Sequence, residues 1–152
     1  MVRTQTDSIT EVLRECFASD KSLLSKWHVN AGQGIEKCVE RTESDMRGAS
    51  VKVFKITDGD NLVGYFGKED AHQVHFLTGF FVKPEYRTSQ SIAKFWDLIQ
   101  DEFKDSFYCG LYEKNEPAIK FIKKNKGNLI ASVPTNGEVA KFFKIEAGES
   151  CQ

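Results

Sequence analysis

Four features of this chain have the residue types to do chemistry. The first is its thiols: Cys16, Cys38, Cys109 and Cys151. No two lie close enough for a CxxC metal or redox motif, and the histidines show no metal-ligand spacing, so no metal is expected. We read the four as reduced thiols, three of them small core residues and Cys151 part of the tail. The second feature is His75, in the run Gln73-Val74-His75-Phe76-Leu77-Thr78-Gly79-Phe80-Phe81. It is the group of that run that titrates near neutral pH, and it is either a proton carrier or an ordinary hydrogen-bonded strand histidine. The third is the stretch Arg87-Thr88-Ser89-Gln90-Ser91-Ile92-Ala93, which leads into an amphipathic segment. A loop entering a helix offers unpaired backbone N–H groups and the positive end of the helix dipole, a natural anion site. A plain serine-capped helix gives the same pattern. The fourth is the run Lys120, Lys123, Lys124, Lys126. It is either an anion contact or a solvated helix face, and Glu116 one turn before Lys120 supports the second reading.

Periodicity says which elements must carry these residues. Ile9, Val12, Leu13, Cys16 and Phe17 form one helical stripe, with Ser8-Ile9-Thr10-Glu11 as a capping box at its start. A second helix follows Gly34, burying Ile35, Cys38, Val39 and Met46, while the segment through Leu23, Leu24 and Trp27 is ambiguous. The pattern then turns to strands. Val51–Ile56 and Leu62–Phe66 flank the turn Asp58-Gly59-Asp60-Asn61, and a longer strand runs from Val74 to Val82 and closes at Pro84. Ile92, Phe95, Trp96, Ile99 and Phe103 mark a helix, and Phe107–Leu111 a short buried strand. Asn115 reads as the N-cap of a last helix that stops at Gly127. A hairpin about Pro134-Thr135-Asn136-Gly137 ends the pattern. The middle strand–helix–strand must be a parallel crossover, and the hairpins are antiparallel.

The chain has 152 residues, 21 Lys+Arg against 22 Asp+Glu, and a net charge of −1. That length predicts one domain, residues 1–146, followed by a polar tail at 147–152. The balanced charge gives no footprint for nucleic acid or an anionic membrane. No apolar run approaches the roughly 18 residues of a membrane span, and Met1-Val2-Arg3-Thr4-Gln5 has no signal-peptide core. A cytoplasmic protein with no nucleic-acid or membrane partner is expected; its oligomeric state is open. One figure is unusual, 12 Phe against 2 Trp and 2 Met.

Two motifs in this order resemble the GNAT family of N-acetyltransferases. Val82-Lys83-Pro84-Glu85-Tyr86-Arg87 is similar to the V-x-P-x-Y-R stretch that ends the family's fourth strand and enters its pyrophosphate-binding loop. Asn115-Glu116-Pro117-Ala118, followed by Gly127, is similar to the family's N-x-x-A helix start. The resemblance covers about residues 50–145 well and the N-terminal third in outline. It implies an α/β (α+β) fold, a central mixed and mostly antiparallel sheet with helices on both faces. It also implies acetyl-CoA as cofactor, held by the backbone near Phe81 and Val82, by Arg87, Thr88, Ser89, Gln90, Ser91, Ile92 and Ala93, and by Asn115.

The chain departs from that pattern where the family does its chemistry. The loop has Gln90 and Ile92, or in the shifted register Ser91 and Ala93, where the family has glycine. The fourth strand lacks the family's glutamate, which leaves His75 as the candidate base, with Asp70 and His72 just before the strand as further candidates. The family's acid tyrosine falls on Ile122, and Tyr112 and Tyr86 are the nearest tyrosines; Tyr112 is taken as the candidate acid. Phe76, Phe80 and Phe81 sit where such an enzyme needs polar groups and accessible backbone. Two readings follow. One is an acyl-CoA-dependent N-acyltransferase acting on a small-molecule or protein amine, with Trp27, Trp96 or the hairpin at Pro134–Gly137 near the acceptor. The other is a catalytically degenerate binding or structural protein with a protein partner, resembling phage-encoded GNAT-like proteins that act in a virion or host cell.

Overall fold

A computed structural model of the chain describes residues 1–46 and 50–146; the tail expected at 147–152 lies outside the described residues. The chain opens with β1 (Val2–Gln5), α1 (Ile9–Ala18), a π-helical turn (Leu23–Trp27) and α2 (Ile35–Asp45). Three strands follow, β2 (Val51–Asp58), β3 (Asn61–Ala71) and β4 (Val74–Val82), and then α3 (Ser89–Phe103). The chain continues through β5 (Phe107–Tyr112), α4 (Glu116–Lys124), β6 (Asn128–Thr135) and β7 (Glu138–Ile145). Among the described residues one sheet has the order β1-β2-β3-β4-β5-β7-β6. Its pairs are antiparallel except β4–β5, the expected crossover through α3.

Neighbouring strand residues divide between two cores, as the two-residue strand period requires. Phe54, Phe66 and Val82 join Phe95, Ile99 and Phe103 of α3 and Ile122 of α4. Val53, Tyr65 and Phe81 join Leu13, Cys16 and Phe17 of α1 and Cys38 and Val39 of α2. Helices therefore cover both faces of a mixed, mostly antiparallel sheet. Ile122 is fully buried in the first core, and that burial explains an apolar residue at this position. Trp96 is also core, packed on the rings of Phe107 and Phe121.

Three local expectations change. β1 is added; four mostly exposed residues carry too little periodicity to show in the sequence. It is held by pairing with β2 and by Arg3, whose guanidinium donates to Asp101 (2.8 Å) and Glu102 (2.9 Å) on α3. Ser8 does stand at the N-cap of α1, but its hydroxyl caps nothing, and its own N–H donates to Thr6 Oγ1 at 3.1 Å. The ambiguous segment is the π-helical turn, its entry fixed by Asp20, whose Oδ1 accepts the Leu23 N–H at 3.0 Å.

The phenylalanines sort into two groups. Phe17, Phe54, Phe66, Phe81, Phe95, Phe103, Phe107 and Phe143 are buried core, each worth about 1.5–3 kcal/mol of transfer free energy. The other four, Phe76, Phe80, Phe121 and Phe142, all line one of two cavities beside the β4–β5 junction, and Phe81 of the first group reaches one of them too.

Candidate functional site

The site begins where β4 and β5 part. Their pairing is confined to Phe76 with Tyr108 and Leu77 with Cys109. β5 continues along β7 to Tyr112, and β4 continues along β3 to Val82, so the two strands diverge from Thr78 and Gly110 onward. The divergence starts at a bulge: Gly67 pairs with Gly79 and Lys68 with Leu77, leaving Thr78 as an extra residue. Bulges of this kind bend a strand and re-aim its groups.

The gap exposes backbone donors. Lys83 N–H donates to Val63 O at 2.8 Å. The Phe81 carbonyl faces Gly64 so closely that a Cβ there would lie 1.9 Å from its oxygen, which is why the position is glycine. Both groups point toward β3, so strand alternation turns the N–H and C=O groups of Phe80 and Val82 toward the gap. The Val82 carbonyl is taken by Arg87 Nε at 2.8 Å. The N–H groups of Phe80 and Val82 are left facing the place where β5 would have been. The backbone of Phe81 belongs to the β3 ladder and its ring stacks on Tyr65, but the residue still lines the cavity that opens on this edge.

A first cavity of about 270 Å³ opens on this edge. Phe80, Val82 and Ile92 form one side of it, Asn115, Ala118 and Phe121 another, and Leu23 and Trp27 of the π-helical turn a third. Of the expected loop residues, Arg87 and Ile92 reach the cavity wall, whereas Thr88, Ser89, Gln90, Ser91 and Ala93 do not line it. α3 is capped by Thr88 rather than by a serine: Thr88 Oγ1 accepts the Ser91 N–H at 3.2 Å. Asn115 caps α4 as expected, its side chain accepting the Ala118 N–H at 3.4 Å. Arg87 is held on three sides. Its guanidinium pairs with Asp20 at 2.6 Å, donates to Val82 O and lies 5.3 Å from the centre of the Phe81 ring.

A second cavity of about 320 Å³ lies beside α2, with Asp45, Glu69, Phe76, Thr78, Tyr112 and Phe142 on its wall. The Tyr112 hydroxyl accepts from Arg41 at 3.0 Å and donates to Asp45 at 3.2 Å. The hydrogen bond to Tyr112, ahead of the opposing burial, raises the Arg41 pKa and keeps it charged. Glu69 accepts the Ser50 hydroxyl at 3.3 Å. Thr78 Oγ1 is buried with no hydrogen-bond partner among the described residues.

His75 is not brought to either wall. It pairs in register with Asp70 near the β3–β4 turn, Nδ1 to Oδ1 at 2.5 Å. Burial raises the Asp70 pKa, but the hydrogen bond from His75 and the charge of Lys68 outweigh it and hold the carboxyl below its ordinary value. His72 sits in the turn itself. No carboxylate stands on the fourth strand itself, but Glu69 of β3 pairs in register with Phe76, one step from His75, and lines the second cavity. The signal was present in the sequence as Lys68-Glu69-Asp70, but reading it required the hairpin register. Cys16 and Cys109 are buried and their thiols are pushed up to about 12 by that burial, which leaves them inert as nucleophiles.

No protein-family model and no curated protein matches the sequence. Solved structures do match its shape. A protein assigned to the GNAT acetyltransferase family, from Desulfovibrio desulfuricans, superposes with a TM-score of 0.68 at 13% identity, over 97% of this chain and 99% of that one. The ribosomal-protein-S18-alanine N-acetyltransferase of Escherichia coli gives 0.62 at 15% identity, over 97% and 96%. The spermidine N-acetyltransferase of Vibrio cholerae, solved with CoA and spermine, gives 0.64 at 10% identity, over 99% and 98%. At these identities the likeness is one of architecture, and it extends over almost the whole chain, the N-terminal third included. The chain has the fold of the GNAT acetyltransferases.

Proposed function

We propose that this protein is an N-acyltransferase that moves an acyl group from acetyl-CoA to a primary amine by direct attack. The observation that carries the reading is the parted β4–β5 edge, with the N–H groups of Phe80 and Val82 facing an apolar cavity. Those two donors would polarise an acyl carbonyl and hold the negative charge that develops on its oxygen. The apolar wall of Phe80, Val82, Ile92 and Phe121 would hold the arm that carries the acyl group. The neighbouring cavity would hold the amine, a small molecule or a protein N-terminus or side chain; solved neighbours that act on spermidine and on a ribosomal protein are consistent with either.

Glu69 is the residue on the amine wall placed to take the ammonium proton. Among the described residues it has no cation within 4.0 Å, whereas Asp45 is engaged by Tyr112 and Arg41. Tyr112 would orient the amine rather than protonate the leaving group. A thiolate with an ordinary pKa of about 8.5 leaves without an acid, so Ile122 in place of a tyrosine is no obstacle. His75 has no step in this reading.

Acetyl-CoA at a hundredfold excess over its Kd should stabilise the protein by about 2.7 kcal/mol, which for a chain of this size raises Tm by about 5–10 °C. Absence of a shift at millimolar acetyl-CoA overturns the proposal. Thiol release with a panel of amines then tests turnover; binding without release from any amine leaves the noncatalytic binding protein as the remaining reading.

A further inference from the structure

The charges on the wall of the first cavity are Asp20, Arg87 and Lys124, a poor complement for a polyanionic nucleotide. Arg87 is the residue expected to meet phosphate, yet its charge is already answered. The Asp20 carboxylate 2.6 Å away is itself only 7% exposed, and it is fixed by the Leu23 N–H. Turning Arg87 toward a phosphate would strand that buried carboxylate, a change that costs more than one exposed contact returns. The Arg87 guanidinium is also held by the Val82 carbonyl.

The start of α3 offers little more. Thr88 takes the Ser91 N–H internally, the first turn carries no cation, and Gln90 and Ile92 stand where the family's pattern has glycine. Of the lysine run on α4, Lys124 is the one on this wall; it is exposed, and an exposed lysine is a weak, salt-screened phosphate contact. The remaining wall is largely aromatic and aliphatic, formed by Leu23, Trp27, Phe80, Val82, Ile92 and Phe121.

Accepting that this cavity binds the acyl donor, we infer that it grips the donor by its acylated pantetheine arm, and that the nucleotide end contributes little to affinity. The same arm is carried by CoA thioesters and by the phosphopantetheine of acyl carrier proteins.

Calorimetric titration of the full chain with acetyl-CoA, S-acetyl-pantetheine and 3′,5′-ADP tests this. Acetyl-pantetheine should bind within about threefold of acetyl-CoA, a difference under 1 kcal/mol, and 3′,5′-ADP should show no binding at millimolar concentration. Loss of more than about thirtyfold on removing the nucleotide overturns the inference. If acetyl-CoA alone binds, the transferase reading stands and this inference falls; if neither thioester binds, both fall. Asp20→Asn keeps an acceptor for Leu23 but frees Arg87, and should make 3′,5′-ADP binding detectable at millimolar concentration, where the original protein shows none. No gain in a folded variant overturns the role given to Asp20. An acetylated carrier protein titrated beside acetyl-CoA identifies the source of the arm by which of the two binds more tightly.

Discussion

The two cavities border one parting of the sheet, yet they handle charge in opposite ways. In the first, the carboxylate and the guanidinium answer each other: Asp20 and Arg87 pair at 2.6 Å and leave an apolar groove between them and α4. In the second, Asp45 is answered by Arg41 at 3.6 Å and by the Tyr112 hydroxyl, while Glu69 faces the space with no cation within 4.0 Å among the described residues. The first wall suits a long neutral arm; the second suits a group that arrives positively charged and must lose a proton. The contrast shows why charge counted along the sequence, 21 against 22, says little about a site: balance over the chain is compatible with balance at one cavity and imbalance at its neighbour.

The sharpest way to break this comparison is Glu69→Gln. A positioned general base contributes about 10²–10⁴ in rate, so kcat should fall roughly a thousandfold while the thermal shift given by acetyl-CoA is unchanged. Equal loss of donor binding would mean that the two walls are not separate. A rate within about threefold of the original protein would remove Glu69 as base.

The next effect falls on the donor wall through its support. His28 closes the π-helical turn that carries Leu23 and Trp27, its N–H donating to Leu23 O at 2.9 Å. Its ring Nδ1 accepts the Asn30 N–H at 3.0 Å, so Nε2 carries the hydrogen and donates to Thr42 Oγ1 at 2.8 Å. Burial first, then Arg41 and Lys114, push the His28 pKa down to about 4. Between about 6.5 and 4 the unfolded chain binds a proton that the folded chain refuses, so stability falls as pH falls through that window, by up to about 3 kcal/mol. Urea titrations at pH 7 and pH 4.5 measure the loss. His28→Gln should flatten the part of the slope that this residue supplies; an unchanged slope would assign it to the carboxylates instead.

How much of this was legible in the sequence depends on the range of the interaction involved. Helix stripes such as Val12, Leu13, Cys16, Phe17 and the Asn115 cap are local patterns, and they stand as read. The crossover order could be read because a strand–helix–strand has one permitted hand. β1 escaped because its four residues bury almost nothing and are held by a partner fifty residues away. Within the site, Phe81, Val82, Arg87, Ile92 and Asn115 were named from the resemblance and do line the first cavity. What the sequence could not show was pairing between side chains distant in the chain. Asp20 lies 67 residues from Arg87, and no periodicity links them. Glu69 sits beside Phe76 through hairpin register rather than through spacing. The unusual count of phenylalanine first read as an obstacle to catalysis; five of the twelve, Phe76, Phe80, Phe81, Phe121 and Phe142, line the two cavities.

The smallest expected effect serves as a control for the other two. The β3–β4 hairpin turns through His72 and Gln73 with φ of 51° and 67°, a left-handed pair in a two-residue loop where Asn-Gly is the favoured sequence. A Cβ in that region costs about 1–2 kcal/mol, part of which is offset because glycine also loosens the unfolded chain. Gln73→Gly should therefore stabilise the protein by about 0.5–1 kcal/mol, seen as a higher urea midpoint with an unchanged slope. The turn lies beyond the His75–Asp70 pair and touches neither cavity wall. Donor affinity and the dependence of rate on Glu69 should both stay as they were. Paired with His28→Gln, the substitution separates the two sources of change: if lost donor binding in the His28 variant returns when Gln73→Gly restores overall stability, the loss came from global unfolding. If it does not return, the π-helical turn itself shapes the donor wall.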